Sequence, residues 1–181
     1  MTSTDFDIFA EFGLDPRPDA ELTRDEIIAR NLKVVDWHFH SENPDEVEKA
    51  VALYADDIVW EAPSRGQVMK DVAEVLEAYR NIFRTMAYRK TISLRRFATE
   101  DFVFDDQIAW AKVVGDPAQM PGMPFPQGTE VCARLVHCFQ MKDGRISREI
   151  AYEVWREADS DIANDDVPEG SAVEIFTGLP D

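Results

Sequence analysis

Apolar residues recur at helical spacing in the first half of the chain and at every second position in the second half. The helical spacing predicts three helices, over residues 23–40, 41–57 and 67–86. Thr23 and Glu26 have the spacing of a capping box at the start of the first helix. Asn43 and Pro44 suit the start of the second. A short strand, "DIVWEAP", precedes the third helix and ends at Pro63.

The second half contains four segments that alternate with a period of two, "KTISLRRFA", "QIAWAKVVG", "TEVCARLVHCFQM" and "RISREIAYEVW". Helices followed by a run of antiparallel strands predict an α+β fold with the helices laid across one face of a sheet. We assign residues 23–157 to this domain. Residues 1–22, with phenylalanines at three-residue spacing (Phe6, Phe9, Phe12), predict a helical turn docked on the domain or on a neighbouring subunit. The acidic tail, 158–181, is either disordered or docked over an opening or a partner chain.

One histidine interrupts an otherwise apolar strand face. Asp143–Gly144 is a turn dipeptide that closes hairpins, and alternate residues before it share one face: Met141, Phe139, His137, Leu135, Ala133 and Val131. His137 is therefore predicted to point inward. It is either a core histidine satisfied by a backbone carbonyl or water, or a pocket group that donates a hydrogen bond or transfers a proton.

The composition narrows the possible partners. A net charge of −17 argues against nucleic acid and anionic membranes, which require a cationic surface. The N-terminus has no basic region and no long apolar run, so neither a signal peptide nor a membrane anchor is expected. Cys132 and Cys138 lie about 20 Å apart along one strand, too far to form a disulfide. A reduced, cytoplasmic protein is expected.

The order of the elements, the segment "LYADDIVWEAP" and the turn in "FQMKDGRI" resemble the SnoaL-like branch of the nuclear transport factor 2-like (NTF2-like) superfamily, over about residues 24–157. The resemblance implies a cone, in which a strongly curved antiparallel sheet wraps around three helices and encloses a pocket. Members include polyketide cyclases, ketosteroid isomerases, scytalone dehydratase, limonene-epoxide hydrolase and lyases of lignin-derived aromatics. Others only bind ligands or partners, so the fold alone does not define the function.

The resemblance also implies positions for the site. His137 aligns with a strand position from which ketosteroid isomerases donate a hydrogen bond to an oxyanion. On the first helix, either Trp37 or His38 aligns with a pocket tyrosine. Tyr54 and Tyr79 lie on predicted inward helix faces and either supply a phenol or pack in the core. These four, His137, His38, Tyr54 and Tyr79, are the catalytic candidates.

Two observations limit the chemistry. The position of the ketosteroid isomerase base is occupied by Ala62, and Glu61 lies on the opposite strand face, so isomerisation by that mechanism is not supported. His40 is rotated by roughly 200° from His38 on a helix, so "HFH" is a poor metal motif. No glycine-rich phosphate loop or zinc-ligand spacing occurs, and neither a metal nor another cofactor is expected.

Aromatic and sulfur-containing side chains are the candidates for substrate binding. The long loop from Gly115 to Gly128 could cap a ligand or contact another subunit. The predicted binding residues are Trp37, Trp60, Trp110, Phe139, Met123 and Phe125.

These patterns predict a cofactor-independent acid–base enzyme of the lyase, dehydratase or cyclase type, acting on a small hydrophobic, aromatic substrate, with lignin-derived aromatics among the candidates. The alternative is a non-catalytic ligand-binding or assembly module of the same fold. The outer sheet face carrying Cys132, Val136 and Cys138 is too apolar to leave in water, which predicts a homodimer or homotrimer.

Overall fold

The computed structural model describes residues 7–160 and 165–175. In this part of the chain there are four α-helices, α1 (Ile8–Glu11), α2 (Arg24–His40), α3 (Val47–Ala52) and α4 (Val72–Thr85). Seven strands form the sheet: β1 (Tyr54–Ala62), β2 (Gln67–Met69), β3 (Met86–Ala98), β4 (Phe102–Val113), β5 (Glu130–Lys142), β6 (Arg145–Glu157) and β7 (Ala172–Ile175).

Helix α2 begins where the sequence predicts. The Thr23 hydroxyl accepts from the Glu26 backbone N–H, and the Glu26 carboxylate accepts from the Thr23 N–H, which completes the capping box. The two bonds satisfy backbone donors that a helix start leaves free. The buried side of α2, which includes Val34, Val35 and His38, faces the sheet.

The other two predicted helices are shorter than expected. The Asn43 side chain accepts from two backbone N–H groups and closes a turn, so α3 begins only at Val47. The third helix begins at Val72, where Asp71 caps it. Gly66, at φ 65°, reverses the chain ahead of it, and β2 then pairs with β1. Val68, inside the predicted third helix, is therefore a strand residue, and Tyr54, predicted on an inward helix face, is the first residue of β1.

The sheet has the strand order β2-β1-β6-β5-β4-β3-β7. It is curved and unclosed, and the helices pack against its concave side, which confirms the α+β cone. The pairing of β1 with β6 is parallel and the remaining pairs are antiparallel, so the sheet is mixed. The main core lies between the concave face and the helices.

Strand β6 contains an irregularity that determines which side chains face the concave side. Met141 pairs with Ile146, but the preceding Gln140 pairs with Arg148, so Ser147 is an extra residue in β6. Such a bulge reverses the alternation beyond it. As a result Glu149, rather than Arg148, points into the cone.

Both ends of the described chain dock on the domain. Ile8, Phe12 and Leu14 are buried in the main core, whereas Phe6 lies outside the described residues. On the tail, β7 pairs with β3, and the Asp165 carboxylate binds Arg134 and Arg156 on the outer sheet face. The end of the predicted docking segment, from residue 176 onward, also lies outside the described residues.

The two cysteines are free thiols. Cys132 is buried in a small second cluster with Ile92, Leu94 and Ile108. In residues 7–160 and 165–175, no helix combines the length and hydropathy needed to cross a membrane.

Candidate active site

A cavity of about 340 Å³ opens on the concave side of the sheet. Its walls come from α2 and the turn after it, from α4, from the strands β1 and β3 to β7, and from the loop after β4. Aromatic rings form much of the wall, and they belong to Phe39, Trp60, Tyr79, Phe83, Tyr88 and Trp155. Glu42, Gln107, His137 and Glu149 form a polar end of this lining, where neighbouring contacts link them through His38.

His38 lies just behind this polar end and is fully buried. Both of its ring nitrogens face acceptors. Nδ1 is 3.2 Å from the Ala50 carbonyl, and Nε2 is 2.8 Å from Glu42 Oε1 and 3.3 Å from Glu149 Oε2. An imidazole whose two nitrogens both donate carries a positive charge. Burial by itself lowers the pKa of His38, but the two carboxylates outweigh it and raise the pKa to about 10.

Glu149 is a buried carboxylate that receives several donors. The Tyr54 hydroxyl donates to its Oε2 over 2.5 Å, and the His38 imidazolium shares the same oxygen. Burial raises the pKa of Glu149, but hydrogen bonding and charge from His38 have the larger combined effect, and the pKa lies below its usual value. Glu149 is therefore ionised inside the protein.

Two phenols complete the network. The Tyr79 hydroxyl donates to Glu42 Oε1 over 2.8 Å and lies 3.0 Å from the Tyr54 hydroxyl. Burial and the neighbouring carboxylates raise the pKa of both phenols well above the usual value. Both therefore act as neutral hydrogen-bond donors, and Tyr79 is the one that reaches the cavity wall.

His137 lies in the wall, on the other side of Glu149. Its Nε2 is 4.0 Å from Glu149 Oε1, and its Nδ1 is 3.5 Å from the Gln107 amide. Phe139 stacks against the ring and Phe39 meets it edge-on. A side-chain amide has a donor at one end and an acceptor at the other. Gln107 can therefore satisfy either tautomer of His137 by turning over.

Another part of the wall is fixed by a buried ion pair. The Arg65 guanidinium donates to both oxygens of Glu153, over 3.0 and 3.1 Å. Trp155 Nε1 donates to the same carboxylate over 2.8 Å. Because Glu153 holds both partners, the Trp155 ring has a defined position in the cavity wall.

The structure brings most of the predicted site residues together. His137, Tyr79 and Trp60 line the cavity. His38, Tyr54 and Phe139 are buried directly behind it, in contact with those residues or with Glu149. The two histidines thus meet through one carboxylate.

Four predicted binding residues lie elsewhere. Trp37 is 38% exposed and packs on Phe12, because neighbouring helix positions point about 100° apart and His38 takes the inward one. Trp110 lies on the outer sheet face, beneath the Lys90 ammonium. Met123 and Phe125 pack against the core, but Met120 is the loop residue that reaches the cavity, since a turn at Pro117–Gln119 directs it inward.

The lining also includes polar residues outside the sequence candidates, among them Glu42, Gln107, Glu149 and Glu153. Glu42 follows His38 by four residues, a spacing that places side chains on one side of a helix and could have identified it. Glu149 is concealed by the bulge at Ser147. Gln107 pairs with Leu135 on the neighbouring strand, and a pairing of this kind is not evident from the local pattern.

Three side chains of the buried network around His38 could also bind a metal ion. His38, Glu42 and Glu149 each offer one ligand atom, and the three atoms lie within 4.8 Å of one another. In the hydrogen-bonded arrangement the Nε2 proton of His38 points at the two carboxylates. A metal would have to displace that proton, because a histidine binds a metal through a neutral ring.

The cone, with its pocket between sheet and helices, is the architecture of NTF2-like proteins. A family model described as a SnoaL-like domain matches residues 18–149, and the chain belongs to the SnoaL-like family. No curated protein matches the chain by sequence.

Several solved structures share the fold at low identity. A Xanthomonas campestris protein provisionally named a polyketide cyclase has a TM-score of 0.58 at 17% identity, covering 70% of this chain and 91% of that chain. An LEH-like epoxide hydrolase of M. tuberculosis has a TM-score of 0.54 at 16% identity, covering 70% and 84%. An NTF2-like protein of Burkholderia xenovorans has a TM-score of 0.56 at 13% identity, covering 70% and 91%.

Proposed function

We propose that this protein is a small-molecule enzyme that moves protons in its cavity without a cofactor, as a lyase, dehydratase or cyclase does. The observation that carries the proposal is the position of His137 in an apolar cavity wall, 4.0 Å from an ionised, buried Glu149. A carboxylate beside a histidine stabilises the imidazolium that forms when the ring accepts a proton. The names of similar structures, a cyclase and an epoxide hydrolase, also support small-molecule chemistry.

Each polar group has a distinct role in this proposal. His137 exchanges the proton with the substrate, and Glu149 stabilises its charged form. The Gln107 amide supplies a hydrogen bond to a substrate oxygen on which negative charge develops, whereas the Tyr79 hydroxyl donates its one proton to Glu42 and orients that carboxylate. His38 does not reach the cavity wall and is a positioning residue, because its charge keeps Glu149 ionised and oriented.

The walls favour an aromatic substrate. A volume of about 340 Å³ is at the lower end of the range for small-molecule sites, and rings from Trp60, Phe83 and Trp155 offer flat apolar contact. Hydroxylated aromatic compounds, including lignin-derived ones, have a suitable size and a polar group for the Tyr79 and His137 end.

The test is a panel of hydroxylated aromatic and polyketide-like compounds, assayed for loss of water, loss of formaldehyde and ring closure. For any compound that is turned over, His137→Gln should lower kcat by about 10²- to 10⁴-fold while circular dichroism and thermal melting stay close to wild type. His40→Gln is the control, since it makes the same replacement at a half-exposed histidine outside the cavity lining. Wild-type kcat in a folded His137→Gln variant would remove His137 from the mechanism.

The alternative function is ligand binding without chemistry. Ala62 favours it, because this buried residue stands at the position that the family resemblance assigns to the base of ketosteroid isomerases. Compounds that bind the wild-type cavity but are never converted would support this alternative.

A further inference from the structure

The charged side chains in the cavity wall are all acidic, apart from the ionisable His137. Four glutamates contribute to it: Glu42, Glu149, Glu153 and Glu174. No lysine or arginine of residues 7–160 and 165–175 is part of the lining. A ligand with a carboxylate or phosphate group would therefore meet carboxylates without a cationic partner in the wall, and like charges at close range are costly in a poorly hydrated cavity.

The positive charges behind the wall balance these glutamates only in part. Arg65 neutralises Glu153 through a paired contact in which both side chains are buried. Glu42 and Glu149, however, share the single positive charge of His38. Two carboxylates and one imidazolium leave one negative charge in excess at the polar end of the cavity. His137 is the other group near these carboxylates, with Nε2 4.0 Å from Glu149 Oε1, and it offsets the excess negative charge only when its ring is protonated.

Glu42 is the accessible member of this cluster. Its side chain is 21% exposed, whereas those of His38 and Glu149 are almost fully buried. A group that enters the cavity can therefore approach the Glu42 carboxylate, with aromatic rings such as Phe39 and Tyr79 around it. A carboxylate surrounded by aromatic faces attracts an organic cation by charge and by cation–π contact.

We propose that the cavity takes a ligand with a cationic polar end, a protonated amine or a quaternary ammonium group on an aromatic body, and that Glu42 is the residue that selects it. This substrate class rests on the proposed function of the cavity as a small-molecule site. The ammonium group lies against Glu42, and the aromatic body lies between the rings of the wall. The same arrangement excludes aromatic carboxylates. The net charge of −17 concentrates cations near the surface and assists their entry.

The experiment compares three probes of equal length: 3-phenylpropylamine, 3-phenylpropan-1-ol and 3-phenylpropanoate. They present a cation, a neutral hydroxyl and an anion on the same aromatic body. Isothermal titration calorimetry on the full chain, with EDTA present to exclude metal ions, gives the three dissociation constants. We expect the amine to bind about tenfold more tightly than the alcohol, and the carboxylate to bind most weakly.

Two variants distinguish the effect of the cavity carboxylate on amine binding from the effect of the acidic surface. Glu42→Gln keeps the size and the acceptor oxygen but leaves one carboxylate against one imidazolium, so the preference for the amine over the alcohol should disappear. Glu48→Gln removes the same charge from an exposed position paired with Arg80, and it should keep the wild-type preference. Loss of the preference in both variants, or equal binding of amine and alcohol by the wild type, would overturn the proposal. Tighter binding of the carboxylate would overturn it as well.

Binding and turnover are read separately, so the two proposals can fail independently. An amine preference without conversion of any compound contradicts the enzymatic proposal only. Conversion of neutral compounds, with no preference for the amine in binding, contradicts only the proposal of a cationic ligand.

Discussion

At the scale of single residues, the ion cluster around His38 determines the character of the site. A buried positive charge with two carboxylate partners holds Glu149 ionised and gives Tyr54 a charged acceptor. Removing one partner from such a cluster leaves a buried charge without compensation, which is costly. The cluster therefore couples stability to the protonation of one histidine.

This coupling predicts a pH dependence. The pKa of His38 is raised from 6.5 to about 10 in the folded state, so the stability it contributes is fully present below pH 6.5 and is lost as the pH rises toward 10. The free energy of unfolding of wild type minus that of His38→Gln should accordingly shrink between pH 6.5 and 10. Urea unfolding at several pH values in this interval measures the difference.

His40→Gln provides the control for this measurement. Its ring is half-exposed and outside the buried ion cluster, with Nδ1 2.8 Å from the Asp36 carbonyl and Nε2 3.4 Å from Glu174, so His40→Gln should differ from the wild type by less than His38→Gln at pH 6.5. Parallel pH curves for wild type and His38→Gln would mean that His38 is not charged in the folded protein.

At the scale of secondary-structure elements, the hairpin between β5 and β6 is attached to the N-terminal segment. Asp143 and Gly144 both have positive φ, 47° and 73°, as the two central residues of a type I′ turn require. The Asp143 carboxylate accepts from the Asp19 N–H, and the Asp143 N–H donates to the Asp19 carboxylate. The N-terminal segment thus covers the turn of the two strands that carry His137 and Glu149.

Two independent features of the structure require glycine at position 144. A Cβ at Gly144 would come within 3.0 Å of the Phe9 ring and 3.1 Å of the Arg30 side chain, in addition to the strain of its positive φ. Gly144→Ala should therefore lower the free energy of unfolding by more than the roughly 1 kcal/mol expected of strain alone. Chemical denaturation measures the loss.

Gly66→Ala is the matched comparison, since Gly66 has a similar φ of 65° and nothing lies within 4 Å of its added Cβ. This variant should lose the strain contribution only. Equal losses at the two positions would show that the contact with Phe9 and Arg30 has no energetic consequence.

At the scale of the whole molecule, the outer face of the sheet is only partly covered. Cys132 is shielded by its own cluster and by Trp110, and the tail is held across Arg134 and Arg156 through Asp165. Tyr152 and Val154 remain exposed, at 49% and 60%. They lie opposite Val136 and Arg134 in the register of β5 and β6.

We expect this exposed strip to be the interface of a homodimer or homotrimer, because apolar side chains of adjacent strands rarely stay in water together. Replacing Tyr152 and Val154 together with glutamate should give a folded monomer. Light scattering at micromolar concentration measures the mass of both proteins. A wild type that has the monomer mass would contradict the assembly.

Local patterns in the sequence were sufficient for several features of this protein. The capping box at Thr23 and Glu26 determines where α2 begins, because its bonds join residues three positions apart. The alternation in β5 correctly predicts that His137 faces inward. The extra residue of the bulge lies in β6, so β5 alternates without interruption from His137 to the turn. The resemblance in element order was enough to predict the family and the cone.

Other features depend on which strands pair, and the tertiary structure alone determines them. Glu149 reaches the cavity because Ser147 has no residue opposite it in the register of β5, and simple alternation through β6 would turn Glu149 outward. Trp110 faces outward because the sheet has two faces, and the helices cover one of them. The meeting of His38, on α2, with His137, on β5, through Glu149, on β6, joins three elements far apart in the chain. Periodicity reports which side of an element is apolar, whereas the tertiary structure decides what that side faces.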